Sequence, residues 1–303
     1  LELYDVDITW CDPQAGMKGA ISLANQLSKT HGYYPLRQFD DQVNVEVHYL
    51  TTGKEISQAL PSIDVFVAGI GTGGTIMGVQ KGFSEFDTRV KIIAVEPSPS
   101  NIKLLKRNSE LNNFKNITIF QAAISSHSGK KDFFLSYESN LNTFHNYGTV
   151  EGHLTGETIE VDTYTVPAIL RQANCEKLDL IRMDVEGHEV DVIEGMLEQI
   201  RNETLLPSII FETHLSRYNE ENNMQKVLRQ LFNLGYQAMY VASSWQKGSS
   251  IIESRGYQSL LSIPTDGVRR SIYKDIGNED AEDLICNTGG IRTVYLKHKS
   301  TKF

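Results

Sequence analysis

Two hydrophobic periods alternate along the chain. Short apolar runs rich in β-branched residues occur at Ile63–Ala68, Val90–Val95, Ile117–Ala123, Leu178–Met183, Ser208–Phe211 and Gln237–Val241, and they predict strands. Between them, Asn101–Asn113, Tyr164–Ala173, Glu186–Leu197 and Asn223–Leu234 place apolar residues at helical spacing. Pro167 is acceptable in a first turn, and Gly235 stops the last helix. Lys131–Ser136 and Thr158–Val161 read as further strands, with a long polar loop between them over Tyr137–Gly156. The N-terminal part predicts a strand at Leu3–Trp10, a helix from Met17 to Lys29 and a short helix at Lys54–Ala59. The stretch Tyr33–Tyr49 has little periodicity and reads as an irregular loop. After Gly256 come two turn sequences, Pro264–Gly267 and Asn287–Gly290, with a short helix at Asp280–Ile285 and a strand at Ile291–Leu296. Strands that alternate with helices imply an α/β fold on a mostly parallel sheet.

The most informative stretch is Ser62–Ser100, which reads strand, glycine loop, helix, strand. Gly69, Gly71, Gly73 and Gly74 break the first strand where a parallel sheet brings its ligand-binding turn, and glycine lets backbone approach a ligand there. Glu96-Pro97 ends the next strand, where a carboxylate is placed to accept from ribose hydroxyls. Asp184 ends another buried strand, and Glu212 and His214 follow a third. His188 and His214 are candidates for accepting a proton. Glu186 and Glu189 suit the start of a helix whatever the function. Asp184, Glu212 and His214 are also residue types that suit a divalent metal, although nothing in their spacing requires one, and no metal is assigned.

Composition narrows the classes. Of 303 residues, 40% are hydrophobic and 22% charged, which describes an ordinary globular protein, and no run reaches the length of a membrane span. A net charge of −9 with no basic stripe argues against nucleic-acid partners. Cys11, Cys175 and Cys286 lack metal or redox spacing and suit a reducing cytoplasm. The chain starts at Leu1 without an initiator Met, which points to a fragment of a longer protein.

Two resemblances carry the reading further. Asp12-Pro13, Gly16-Met17-Lys18-Gly19-Ala20, Gln38-Phe39, Thr51-Thr52-Gly53, Glu55-Ile56, Val67 through Thr75 and Val95-Glu96-Pro97 resemble the cysteine synthase family of pyridoxal-phosphate enzymes over residues 1–97. That likeness implies a phosphate cradle at Gly71, Thr72, Gly73, Gly74 and Thr75. The family's Schiff-base lysine and substrate loop lie upstream of Leu1, and Lys18 does not replace that lysine. Glu96–Pro99, Leu104–Asn108, Asn112-Asn113, Asn116–Thr118, Ala122–Ser125, Leu178–Glu189 and Ile210–His214 resemble the FkbM-type methyltransferases over residues 90–245. That likeness implies S-adenosylmethionine as cofactor, bound by Gly69, Gly71, Gly73, Glu96, Pro97, Ala122, Ala123 and Asp184, with the two alanines leaving room for adenine. Asp184, His188 and His214 are then the catalytic candidates. Val67 departs from the acid that such methyltransferases commonly carry in the first strand.

The two likenesses meet at Val90–Glu96. The chain reads as a fusion in which a cysteine synthase βαβ unit stands in for the methyltransferase's first strand and glycine loop. The expected organisation is a partial cysteine synthase-like segment over 1–60, a Rossmann-like methyltransferase domain over 61–245 with helices on both faces, and a C-terminal extension over 246–303. The implied activity is methylation of a hydroxyl on a small molecule or sugar, without nucleic-acid or membrane partners and with the oligomeric state left open. The alternatives are a pyridoxal-phosphate enzyme fragment, inactive alone, and a non-catalytic α/β binding module.

Overall fold

A computed structural model describes residues 9, 16–34, 41–59, 65–68, 74–86, 91–111, 114–137, 141–145, 154–265 and 268–301. The strand expected at Leu3–Trp10, apart from residue 9, and the loop residues Gly69, Gly71, Thr72 and Gly73 lie outside the described residues.

Helix α1 (Gly16–His31) and helix α2 (Gln42–His48) precede a π-helical turn over Tyr49–Gly53 and helix α3 (Lys54–Ala59). The irregular loop expected over Tyr33–Tyr49 is therefore partly helical. The Asp41 carboxylate accepts from Val43 N at 3.0 Å and starts α2.

Strand β1 (Val65–Ala68), α4 (Gly74–Phe86), β2 (Lys91–Val95), α5 (Pro99–Leu111) and β3 (Ile117–Phe120) follow in βα alternation. The expected strand Ile117–Ala123 breaks after Phe120. Residues Ala123–Ile124 form β4, in a small second sheet of order β4-β6-β5 with β5 (Gly129–Ser136) and β6 (Leu154–Tyr164). Then come α6 (Val166–Gln172), β7 (Leu180–Met183), α7 (Glu189–Glu194), α8 (Leu197–Arg201), β8 (Ser208–Glu212), α9 (Met224–Asn233), β9 (Tyr236–Ser243), α10 (Gln246–Ser254), β10 (Leu261–Thr265), β11 (Val268–Ile276), α11 (Asn278–Cys286) and β12 (Ile291–His298).

The main sheet has nine strands in the order β10-β11-β9-β12-β8-β7-β1-β2-β3. Strands β3, β2, β1, β7 and β8 pair in parallel, whereas β12, β9, β11 and β10 join through antiparallel pairings. The sheet is thus mixed rather than mostly parallel as expected. The reason lies in the last third of the chain. The stretch read as an extension supplies β12, which inserts between β8 and β9, and a β10–β11 hairpin on the outer side of β9.

Alternation along the parallel strands divides the core in two. Phe66, Ile92, Ala94 and Leu180 face α4 through Ile76, Val79 and Phe83. Ile93, Val95, Ile181, Met183, Ile209 and Phe211 face the other way, toward residues of α6, α7, α8, α9 and α11. Helices therefore cover both faces. Helix α9 shows the sequence logic plainly: Met224, Val227, Leu228 and Leu231 are buried at helical spacing, and Asn223 caps the helix by accepting from Lys226 N at 2.8 Å.

On the outer side, α4 packs closely on α2 and the π turn. A Cβ at Gly78 would stand 2.4 Å from His48 Cβ and 2.5 Å from Val45 O, so only glycine permits this approach. The Gly74 and Thr75 end of α4 is tied to the same layer, with Thr75 Oγ1 and His48 Nε2 at 3.2 Å.

Candidate active site at the carboxyl edge of the sheet

Four parallel strands deliver their C-terminal residues to one edge. The chain runs from β1 outward to β2 and β3, then returns to β7 on the other side of β1. Such a reversal leaves a crevice at the strand ends, where α/β proteins bind ligands.

On one side of it stands Glu96, at the tip of β2. Its backbone N–H donates to Phe120 O at 3.1 Å, which ties it to the end of β3. Its carboxylate accepts from Ser98 N at 2.7 Å and is only 5% exposed. Burial pushes its pKa up from 4.5 to about 7, against the opposing hydrogen bonds from Ser98 and Asn101. Pro97 is half-buried, and Ala122 and Ala123 are buried just beyond β3.

On the other side, β7 and β8 bring together Asp184, Glu212 and His214, whose ligand atoms all lie within 4.8 Å of one another. Asp184 Oδ2 is 3.3 Å from Arg182, and Arg292 from β12 is 2.8 Å from Glu212 Oε1. His214 Nε2 stands 3.8 Å from both Asp184 Oδ1 and Glu186 Oε2. Its Nδ1 lies 3.2 Å from Glu189 Oε1, in a carboxylate that is fully buried. Burial alone lowers the imidazole's pKa. Glu189, Glu186 and Asp184 outweigh it and raise the pKa to about 9. Burial raises the pKa of Glu186 and of Glu212, helped by neighbouring acids.

The expected helix over Glu186–Leu197 begins later. Glu186 and Gly187 adopt φ of 51° and 95°, forming a tight left-handed turn, and α7 starts at Glu189. The turn is held from behind by Asn222, whose Nδ2 donates to Gly187 O and Arg217 O at 2.9 Å each. It directs Glu186 toward His214 and carries His188 into a different setting.

His188 is 1% exposed. Its Nε2 lies 3.1 Å from Ser125 Oγ and its Nδ1 3.3 Å from Asp191 Oδ2, with the Phe144 ring centroid 4.4 Å away. Burial lowers its pKa to about 3 despite the Asp191 carboxylate. The order Ser–His–carboxylate resembles a nucleophile triad, but the Ser125 hydroxyl is itself buried. Expected as a proton acceptor for a substrate, His188 instead faces protein groups at both ring nitrogens and joins the β4–β5 turn to α7.

The structure therefore brings Asp184 and His214 together and sets Glu96 on the same edge, while His188 lies apart. Sequence reasoning missed Arg182 and Arg292 as partners of the acids. It also read Glu189 as a helix-start acid, not as the partner of His214. Arg292 carries no motif, and only the insertion of β12 beside β8 places it there.

Comparison with known proteins agrees with this division. The family model described as Methyltransferase FkbM domain matches residues 77–238. The chain belongs to this family. The model described as Pyridoxal-phosphate dependent enzyme matches residues 1–136, so the chain joins segments of two families, overlapping from α4 to β5. Cysteine synthases of Staphylococcus aureus and of a Flavobacterium species are each 40% identical to it over 104 residues, 34% of this chain and 34% of theirs. The chain thus spans about a third of the length of the curated relatives it matches. Among solved structures, O-acetyl serine sulfhydrylase isoform 3 from Entamoeba histolytica is 32% identical, covers 32% of this chain and 29% of its own, and has a TM-score of 0.29. O-ureido-L-serine synthase is 32% identical over 32% of this chain and 31% of its own, also with a TM-score of 0.29. No helix among the described residues is long and apolar enough to cross a membrane.

Proposed function

We propose that the protein transfers a methyl group from S-adenosylmethionine to a hydroxyl of a small molecule or sugar. The observation that carries this reading is the buried Glu96 carboxylate on the same sheet edge as the Asp184–His214 pair. The residues present suit an adenosyl ligand. Glu96 already accepts from Ser98 and Asn101, yet burial still holds its pKa at about 7, and vicinal ribose hydroxyls are further donors that suit a strand-tip acid. Beside it, Ala122 and Ala123 contribute only methyl groups where a flat base has to lie.

When bound, the cofactor supplies a methyl group already activated on sulfur, so the protein's task is binding and orientation. Glu96 fixes the ribose. Asp184 and His214 meet the acceptor from the β7–β8 side; His214, held protonated by the surrounding acids, orients the hydroxyl, and Asp184 receives its proton. His188 acts only by positioning, through the turn that ends at Glu189.

S-adenosylhomocysteine is expected to raise the melting temperature of the protein, and labelled S-adenosylmethionine to mark hydroxylated acceptors in a panel of sugars and small molecules. No shift with either ligand would refute the reading.

A second reading is supported by the 40% identity to cysteine synthases. In it, Gly71, Thr72, Gly73, Gly74 and Thr75 keep a cradle for the phosphate of pyridoxal phosphate. Gly71, Thr72 and Gly73 lie outside the described residues, and the Thr75 hydroxyl is engaged with His48. A melting shift with pyridoxal phosphate and none with S-adenosylhomocysteine would favour this reading.

A further inference from the structure

We propose that Asp184, Glu212 and His214 form a binding site for a divalent cation. The proposal deepens the reading of this edge as an active site, but cation binding can be tested without it.

Two carboxylates and an imidazole arrive from the tips of adjacent strands, β7 and β8, with all their ligand atoms within 4.8 Å. Ligands that share an ion at about 2.1 Å are separated by about 3–4.2 Å. His214 Nε2 and Asp184 Oδ1, 3.8 Å apart, already fall in that range, and the group as a whole needs to close by only about half an ångström. At 3.8 Å these atoms are also too far apart to bond directly. They face a common point without satisfying one another.

A second, independent observation concerns what holds the imidazole. Metal-bound histidines characteristically present their other ring nitrogen to a carboxylate, which fixes the ring and its tautomer. Here Nδ1 of His214 lies 3.2 Å from Glu189 Oε1. Glu189 is fully buried, and its other oxygen, Oε2, has no hydrogen-bond partner. The same Oε1 accepts from Val185 N at 2.9 Å, so Glu189 is fixed to the backbone just beyond β7 and in turn sets the ring of His214, with Nε2 toward Asp184 and Glu186. Arg182 engages the Oδ2 of Asp184 and leaves Oδ1 toward His214. Four carboxylates, Asp184, Glu186, Glu189 and Glu212, meet here, with Arg182 and Arg292 in contact and Arg217 in electrostatic range.

Mixed oxygen and nitrogen ligands of this kind suit Mn²⁺, Mg²⁺ or Zn²⁺. A cation there would stand on the acceptor side of the crevice. It could bind the acceptor's oxygen and make that hydroxyl more acidic.

The test is a Mn²⁺ titration of the full chain, followed by electron paramagnetic resonance and calorimetry, with S-adenosylhomocysteine binding measured on the same samples. One equivalent of Mn²⁺ should bind. Affinity should fall at least tenfold in His214→Ala and in Glu212→Gln, and about tenfold in Glu189→Gln, the usual effect of removing a residue that orients a ligand. Glu212→Gln preserves size, so the test survives if His214→Ala fails to fold. Absence of stoichiometric binding by Mn²⁺ and by Zn²⁺, or binding that these substitutions leave unchanged, would overturn the site. Nucleoside binding without cation binding would refute this proposal alone, whereas cation binding without nucleoside binding would support it and refute the methyltransferase reading.

Discussion

Glu96→Gln should make the protein more stable and worse at binding. The carboxylate is 5% exposed, and burial raises its pKa from 4.5 to about 7. At about 1.4 kcal/mol per unit, that rise corresponds to about 3 kcal/mol of stability forfeited when the group ionises. The sign follows from proton counting. Between pH 4.5 and 7 the folded protein holds more of this proton than the unfolded chain does, so stability falls as pH rises through that window. Glutamine keeps an oxygen to accept from Ser98 N and never ionises. The variant should gain on the order of 2 kcal/mol over wild type at pH 8, and almost nothing at pH 4.5. Ligand binding moves the other way. Only the ionised carboxylate accepts from both ribose hydroxyls, and the apparent affinity scales with the fraction present, so it should fall about tenfold from pH 8 to pH 6 in wild type. Exchanging charged for neutral hydrogen bonds costs about 1 kcal/mol each, about 2 kcal/mol for the two hydroxyls, so the variant should bind about thirtyfold more weakly at pH 8 and show a flat pH profile. Calorimetry with S-adenosylhomocysteine at pH 6, 7 and 8, together with thermal melts of both proteins, measures all of this. A destabilised variant, or a wild-type affinity equal at pH 6 and 8, would refute the assignment of Glu96.

Three further outcomes are expected. Gly78→Ala should lower stability by about 1–3 kcal/mol in urea unfolding, because the new methyl meets backbone at Val45 O; Gly129→Ala, with nothing within 4 Å, is the control. Asn222→Ala should cost about 2–4 kcal/mol, since it strips the donor from two carbonyls that shape the Glu186–Gly187 turn. The imidazole of His188, its pKa lowered from 6.5 to about 3, should show no protonation shift in nuclear magnetic resonance spectra between pH 8 and 4.5. The unfolded chain takes up that proton below pH 6.5 and the folded one does not, so stability should decline as pH falls through this range.

The sequence reveals elements wherever local chemistry decides them. Helix α9 has its cap at Asn223, its apolar stripe and its Gly235 stop, and all three are visible in the residues. The strand tips at Glu96, Asp184 and Glu212 are legible for the same reason: an apolar run ends on an acid. Helix α2 is not legible, because the stretch Tyr33–Tyr49 has little periodicity and reads as a loop, and the helix is supported by its packing on α4. Nor is the late start of α7, since Val185–Glu189 reads as a helix start until Glu186 and Gly187 take left-handed conformations. The pairing of Glu212 with Arg292 joins residues 80 positions apart, and depends on where β12 inserts in the sheet. Local periodicity does not carry such information.

The join between the two families lies at the centre of the sheet rather than at its rim. Strand β1 belongs to the stretch matched only by the pyridoxal-phosphate enzyme model, because the methyltransferase match begins at residue 77, inside α4. Yet β1 pairs with β2 from Val65↔Lys91 to Ala68↔Ala94, and with β7 from Phe66↔Leu180 to Ala68↔Arg182. A central parallel strand has to supply backbone pairing on both edges and apolar side chains on both faces, and these demands are generic. Phe66 meets them by packing edge-on against Phe83 of α4, with ring centroids 5.8 Å apart. The more particular contacts of this segment, Gly78 against His48 and Val45, lie within residues matched by the same enzyme model. The transplanted unit therefore carries its own close packing with it and asks only for a hydrophobic, hydrogen-bonding slot from the rest of the sheet. Residues 69–73 fall, in sequence, within the stretch matched only by the pyridoxal-phosphate enzyme model, whereas Glu96, Asp184 and His214 all fall within the methyltransferase match, so the join exchanges the glycine-rich segment and leaves the acids of the other strand tips in place.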